Sequence, residues 1–392
     1  MPTAFSRKPD TIFLVIIIGL LTFGVVMVYD ASVVYAHDVL GGKYHFLLKQ
    51  LVWILLGSLG AFVGYLFDLN KLRKLALPLF LVTLGMLFFL LLPRLFSFPL
   101  CDKFVPEVNG ARRWIILNPQ GVLPQLPLLG SLSFQPSEFA KLTLIIYLAS
   151  WLAPEKRRLN QDASLPGLGL VLILLAFLGG LVLLEPDFAT AVLLCGIGVW
   201  VYFVAGAPLL PLFAAGAVFV AFAGIFIWFS PYRRKRLLTF LDPGAANPLS
   251  TGYHLRQIMI ALGSGGLFGL GLGKSRQKYE YLPETMGDSI FAIVGEEFGF
   301  LGTASLLFVF LLLIWRGFLI IRSAPDRFSR LLASGVVAWI SLQILINLGA
   351  MVGVIPLTGM TLPFISYGGS SMIFSLAAVG LILNISSRRS RR

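Results

Sequence analysis

Apolar runs of about twenty residues recur along the whole chain, and no other feature limits the fold as strongly. A bilayer core takes roughly 20 such residues per helix, and runs of this kind recur from Thr11 to Ile385. With 57% apolar residues, 12% charged residues and a mean hydropathy of +0.88, the chain has too little polar surface to cover a water-soluble body of 392 residues. No long hydrophilic stretch is available for a second unit, so residues 1–392 are expected to form a single, all-α, polytopic membrane domain.

Ten spans are predicted: Thr11 to Tyr29, Phe46 to Leu66, Leu75 to Leu92, Phe139 to Leu152, Leu168 to Leu184, Phe188 to Ala205, Leu209 to Phe229, Leu301 to Ile321, Leu331 to Val354 and Ser370 to Ile385. The first follows Arg7 and Lys8, but it is long for the core of a cleavable leader and many spans follow it, so a retained anchor is expected. The fourth and tenth are short; either polar ends such as Glu138 sit within the bilayer thickness or these helices begin in a protein-lined cavity.

An even number of spans places both termini on one side, and lysine and arginine in short loops select that side. Lys71, Arg73, Lys74, Lys156, Arg157, Arg158 and the tail from Arg388 to Arg392 all fall on the side of the N-terminus. Both termini are therefore expected in the cytoplasm, leaving two long outer loops, 93–138 and 230–300. The second carries Ile258 to Leu262, a glycine-rich apolar run to Gly273, and Ile290 to Val294. These pieces are too short to span and too apolar for water, which predicts re-entrant or interfacial segments packed on the bundle.

Several chemistries are disfavoured by spacing. Cys101 and Cys195 imply no disulfide framework. His37, His45 and His254 lack partners at ligand spacing, so no protein-held metal is expected. The run Gly269-Leu-Gly-Leu-Gly273-Lys274-Ser275 ends like a phosphate loop, but Phe268 stands where the earlier glycine should be; close backbone packing explains the glycines more simply.

Three basic clusters lie in the outer loops: Arg112 and Arg113 beside Trp114; Arg233 to Arg236; and Lys274, Arg276 and Lys278. Attraction to anionic headgroups is the plainer reading. However, the clusters occupy the side where positive charge should be scarcest, which suits a specific anion such as a diphosphate held by arginine forks. The acids at span edges are Glu138, Glu185, Asp187, Glu284, Asp288, Glu296 and Glu297, and an ionisable group near membrane depth is a functional candidate. With Pro283 opening a helix, Glu284 and Asp288 would share one face. Compensation of a helix N-terminus, worth about 0.3 to 1 kcal/mol, accounts for Glu284 better than for Asp288, which leads directly into Ser289-Ile-Phe-Ala-Ile293.

Asn109-Gly-Ala-Arg-Arg-Trp114, Phe134-Gln-Pro-Ser-Glu138, Glu185-Pro-Asp-Phe-Ala-Thr190, Tyr281-Leu-Pro-Glu284 with Asp288, Gly295-Glu-Glu297 and Pro363-Phe-Ile-Ser-Tyr-Gly-Gly-Ser-Ser371, in this order, resemble the SEDS family (shape, elongation, division and sporulation). The resemblance covers nearly the whole chain and is closer to the division branch than to the elongation branch. It implies ten helices and a peptidoglycan glycosyltransferase that polymerises lipid II into glycan strands at the outer face of a bacterial plasma membrane, at the division septum. The acid it implies as essential corresponds to Asp288. Gly287 and Ser289 depart from the usual threonine and phenylalanine, and residues 118–129 look like an insertion.

Asp288 is thus expected to act as general base on the acceptor hydroxyl, and Arg112, Arg113, Lys141, Arg233, Arg236 and Lys278 to hold the diphosphate. Glu284, Gln257 and Ser370 complete the substrate-binding candidates. No cofactor is implied beyond a divalent cation brought by the substrate's own phosphates. The resemblance also implies a class B penicillin-binding protein, a single-pass transpeptidase, and other division proteins as partners; nucleic acid is not expected. A lipid II flippase or transporter, an elongation polymerase and a non-catalytic scaffold remain open. Inverted repeats with broken helices are not evident, and a scaffold would not require an acid, glycines and basic clusters on one face. Labelling from outside intact cells should reach a cysteine placed at Ser250 and not one at Ser387; the opposite pattern would overturn the topology.

Overall fold

Asp10 sets the start of the first helix: its carboxylate accepts from Phe13 N at 3.0 Å, capping α1 (Thr11–Leu40). The structure, a computed structural model, describes residues 8–95, 99–108, 110–119, 132–153, 165–208, 252–279 and 281–388, with isolated positions between 211 and 241. After α1 come α2 (His45–Leu66), α3 (Leu69–Leu95), α4 (Pro99–Phe104), α5 (Pro136–Leu152), α6 (Leu165–Leu184), α7 (Phe188–Val204), α8 (Tyr253–Ser264), α9 (Ile290–Arg322), α10 (Arg327–Met351) and α11 (Gly369–Ser387). β1 (Ile115–Ile116) and β2 (Ser133–Phe134) pair in a two-stranded antiparallel ladder between α4 and α5.

Seven of these helices are long and apolar enough to cross a membrane, while α5 and α7 have 17 residues each. Nine predicted spans coincide with α1 to α3, α5 to α7 and α9 to α11; the tenth, Leu209 to Phe229, lies outside the described residues apart from isolated positions. The prediction that the first span ends at Tyr29 falls short because Asp30, which looks like a stop, is paired with Lys278 at 2.8 Å, and the helix continues to Gly41. α5, α10 and α11 are largely buried, whereas α1, α2, α6 and the later part of α9 turn Ile12, Leu55, Ile173, Phe308 and Leu311 outward. An all-round apolar exterior of this kind suits lipid.

The two ends of the bundle are marked by polar contacts. At one, Asp10 N donates to Ser386 Oγ at 3.0 Å and Arg316 Nε donates to Asp10 Oδ1 at 2.9 Å, bringing the beginning of α1 and the end of α11 together. Twenty residues up α1, about 30 Å at 1.5 Å per residue, Asp30 meets Lys278, and Ala31 O accepts from Thr285 Oγ1 at 3.1 Å. That separation matches a hydrocarbon core.

α9 is broken at Gly299 (φ 65, ψ −163). Before the break its residues are almost all buried; after it, Phe300, Leu301 and Phe308 are exposed. A straight helix would bond Phe300 N to Glu296 O and Leu301 N to Glu297 O. Instead the segment 266–271 enters the gap. Leu270 N and Gly271 N donate to Glu296 O (3.0 Å) and Glu297 O (2.9 Å), while Phe300 N and Leu301 N donate to Gly266 O (2.9 Å) and Leu267 O (3.1 Å). Two helical bonds are exchanged for four, so the kink leaves these groups satisfied at membrane depth.

This insertion requires backbone contact. A Cβ on Gly269 (φ +78) would lie 2.1 Å from Glu297 O, and one on Gly299 would lie 2.3 Å from Gly269 N. The glycine run is thereby explained by close approach. Gly269→Ala should sharply lower the yield and melting temperature of purified protein, because it combines a left-handed backbone with a clash, a cost above about 1 kcal/mol. Gly263→Ala, in α8 with nothing within 4 Å of the new methyl, should be neutral or stabilising by up to about 1 kcal/mol. Equal behaviour of the two would contradict the insertion.

Candidate active site

Asp288 sits just before α9, where α1, α8, α10 and the 352–368 loop meet. The predicted helix beginning at Pro283 is absent: residues 281–289 form turns, and Glu284 adopts φ 51. Glu284 O accepts from Gly287 N at 3.0 Å and from Ser289 N at 3.3 Å, so the chain folds back on itself and α9 starts only at Ile290. Glu284 and Asp288 therefore do not share a helix face, and the expectation that they do is corrected. Glu284 is exposed and Asp288 half-buried.

The turn is tied down on every side. Asn347 Nδ2 donates to Asp288 O (2.9 Å) and to Met360 O (2.6 Å), joining α10, the site and the 352–368 loop. Tyr367 N donates to Met286 O at 2.8 Å, and Thr285 is held to α1. The carboxylate lies beside Gly359, where a Cβ would come 3.9 Å from Oδ2. Ser289 Oγ donates to Asp288 Oδ1 at 3.3 Å and lies 2.7 Å from His254 Nε2 on α8. A carboxylate so placed can accept a proton from a hydroxyl presented by a substrate.

Below it, Gly295-Glu-Glu297 anchors the segment leading to the site. Glu296 accepts from Ser275 Oγ and from the backbone N–H groups of Arg276 (3.0 Å) and Gln277 (3.3 Å). Glu297 Oε1 accepts from Ser275 N (3.0 Å) and Lys278 Nζ (3.2 Å), and Lys278 also donates to Asp30 Oδ1 (2.8 Å). Burial alone would pull the Lys278 ammonium down, but hydrogen bonds and attraction from Asp30 and Glu297 outweigh it and hold its pKa above the ordinary lysine value. Lys278 thus clasps α1 to α9 rather than presenting a free charge for a diphosphate.

Lys141 is also corrected. It is fully buried, donates to Glu138 Oε1 (2.6 Å) and Gln343 Oε1 (3.1 Å), and lies 5.3 Å from the centre of the Trp339 ring. A long cation without a partner in a bundle core is too costly; this one is paired within α5 and hydrogen-bonded across to α10. Gln343 continues the network to Thr361 O (3.0 Å), and Thr361 Oγ1 bonds Ser371 Oγ (3.1 Å). The neighbouring Ser370 Oγ accepts from Gln135 N (3.0 Å), linking the Phe134–Glu138 motif to α11. Arg113 donates to Glu185 O (3.0 Å) and Pro186 O, so the arginine-tryptophan and Glu185–Thr190 motifs are in contact. Arg112 pairs with Asp102 and Glu107. Gln257 is half-buried on α8, three residues from His254. Arg233 and Arg236 lie outside the described residues. Among the described residues, no three His, Cys, Asp or Glu side chains are grouped to hold a metal ion.

Asn347, His254 and Ser289 were not among the sequence candidates. Gln343 and Asn347 stand four apart in an apolar span, and that spacing puts them on one helix face; the signal was available. His254 could be linked to Ser289 only by the fold.

A profile for a family of cell cycle proteins, FtsW/RodA/SpoVE, matches residues 10–391. Stage V sporulation protein E of Bacillus subtilis (strain 168) is 37% identical over 387 residues, 98% of each chain. A probable peptidoglycan glycosyltransferase FtsW of Coxiella burnetii (strain RSA 493 / Nine Mile phase I) is 38% identical over 387 residues, 98% of this chain and 97% of the relative. Among solved structures, a chain from work on the structural coordination of polymerization and crosslinking by a peptidoglycan synthase complex matches with a TM-score of 0.75 and 30% identity, covering 98% of this chain and 99% of that one. The rod shape determining protein RodA of Thermus thermophilus matches with a TM-score of 0.65 and 29% identity, covering 98% of each chain.

The Lys278 clasp is testable by stability. Lys278→Met leaves the buried Glu297 and the partly buried Asp30 without their cation and should cost about 3 to 5 kcal/mol, read as a lower melting temperature in detergent. Adding Glu297→Gln should recover part of the loss. A Lys278→Met protein as stable as the parent would contradict the assignment.

Proposed function

The chain belongs to the FtsW/RodA/SpoVE family of cell cycle proteins, and from that membership and the geometry at Asp288 we propose that it is a peptidoglycan glycosyltransferase that polymerises lipid II. The observation that carries this reading is a carboxylate at the start of the buried half of α9, its backbone carbonyl held by Asn347 and its Oδ1 by Ser289, with Oδ2 beside the open backbone of Gly359.

The acceptor 4-hydroxyl attacks the anomeric carbon of the donor sugar. Its proton passes to Asp288, the new glycosidic bond forms, and the bond to the prenyl diphosphate breaks with the electron pair leaving on phosphate oxygen. Proton removal of this kind is typically worth 10² to 10⁴ in rate. Arg233 and Arg236 are assigned to the departing diphosphate, with the exposed Lys274 and Arg276 on the segment that leads to Asp288; Arg112 and Arg113 would join them by exchanging Asp102, Glu107 and the Glu185 and Pro186 carbonyls for phosphate oxygens. A divalent ion brought by the substrate would be held by its own phosphate oxygens. The active site faces outward, both termini face the cytoplasm, and the protein works at the septum beside a class B penicillin-binding protein docked through membrane helices.

Purified protein in detergent, which has no bilayer across which to move lipid, should form glycan strands from lipid II; a pure flippase would form none. Asp288→Asn keeps the shape and removes the proton acceptor, so the initial rate should fall by about two orders of magnitude or more while the protein still binds lipid II. Glu284→Gln, an exposed residue outside the helix, should remain within about tenfold of the parent. An Asp288→Asn enzyme within about threefold of the parent would remove the general-base assignment.

A further inference from the structure

We infer that Ser289 and His254 are positioning residues for Asp288, a two-link hydrogen-bond chain that fixes the orientation of the base; the inference rests on the reading of Asp288 given above. Ser289 is the N-cap of α9, where a serine hydroxyl ordinarily accepts from a backbone N–H two or three residues on. Here it makes no such cap: Ala292 N bonds the Ser289 carbonyl oxygen at 2.9 Å instead. The hydroxyl, fully buried, is turned to the side chains, donating to Asp288 Oδ1 at 3.3 Å and lying 2.7 Å from His254 Nε2.

Proton counting sets the direction. A hydroxyl has one proton to give and two lone pairs. With the Ser289 proton directed at Asp288, its oxygen accepts from His254, so Nε2 carries the N–H. Both links then direct donor hydrogens toward the carboxylate and hold it in a single rotamer. Both partners are held by the backbone. His254 opens α8, which runs into the inserted segment 266–271, and Ser289 opens the buried half of α9, against which that segment packs. The insertion that breaks α9 thereby brings the imidazole to the serine.

A staple that merely joined α8 to α9 would affect folding and leave turnover untouched, which gives the test. Initial rates of glycan formation from lipid II and melting temperatures would be measured on full-length purified variants. Ser289→Ala should lower kcat about tenfold, the loss of one hydrogen bond to a charged group, with KM and melting temperature near those of the parent. Ser289→Thr, which keeps the hydroxyl, should regain most of the rate. His254→Gln, whose amide N–H can still donate to Ser289, should be faster than His254→Ala. The Ser289→Ala/His254→Ala pair should be no slower than Ser289→Ala alone, because the chain is already cut at its first link.

Parental kcat in Ser289→Ala, or losses that multiply in the double variant, would overturn the inference. Should Ser289→Ala fail to fold, the His254→Gln and His254→Ala pair decides it, equal rates counting against the chain. Asp288→Asn inactive with both single alanine variants at full rate would remove only the positioning role; Asp288→Asn near the parental rate would remove that role and the general-base reading together.

Discussion

The exchange of backbone hydrogen bonds at the break in α9 is the constraint on which the rest of the architecture depends. A helix interrupted within a bilayer exposes polar groups that lipid cannot satisfy, and the chain answers by threading residues 266–271 through the gap. Only glycine at positions such as 269 and 299 lets two backbones approach so closely. Once made, the insertion fixes α8 against the buried half of α9 and thus sets where His254, Ser289 and Asp288 stand. The site is built at the end of the buried half of α9 rather than on a loop in water, a rigid support for the group proposed to meet a substrate hydroxyl.

Three cations inside the bundle are each paired with a carboxylate. Lys141 with Glu138, Lys278 with Asp30 and Glu297, and Arg316 with Asp10 are each paired within or beside the apolar region. Removing one member of such a pair is more costly than the pair's net worth, which makes these contacts better at fixing the register of helices than at adding stability. They are distributed to that end: Asp10 and Arg316 set one end of α1 against α9, Asp30 and Lys278 set the other, and Lys141 sets α5 against α10. Asp288 accepts from Ser289 at its carboxylate and from Asn347 at its carbonyl, and stays half-buried.

How much of this was legible in the sequence differs by kind of signal. Apolar run length found helices but not their ends: α1 runs on past Tyr29, and Ile290 to Val294, read as a piece too short to span, is the buried start of α9. Charge could not be read the same way. Asp30 looks like a helix stop and Lys141 and Lys278 look like anion binders, because nothing local reveals a partner in a distant element: Lys278 is 248 positions from Asp30 and Lys141 is 202 from Gln343. Helix spacing from Pro283 misplaced Glu284 and Asp288 because a left-handed Glu284 and two hydrogen bonds to its carbonyl favour a turn over a helix start. Ser289, which departs from the family pattern, drew notice only as an anomaly, and its link to His254 needed the fold.

The account makes Asp288 the group that receives the acceptor proton, outside the membrane, at a site assembled by the α9 break. The most direct measurement is a structure of Asp288→Asn protein trapped with lipid II and a short glycan acceptor. The account predicts a sugar hydroxyl within about 2.6 to 3.2 Å of the residue 288 side chain, with the diphosphate among the outer-loop arginines. Both sugars bound away from residue 288, or a headgroup lodged at the end of the bundle where Asp10 meets Ser386, would contradict it.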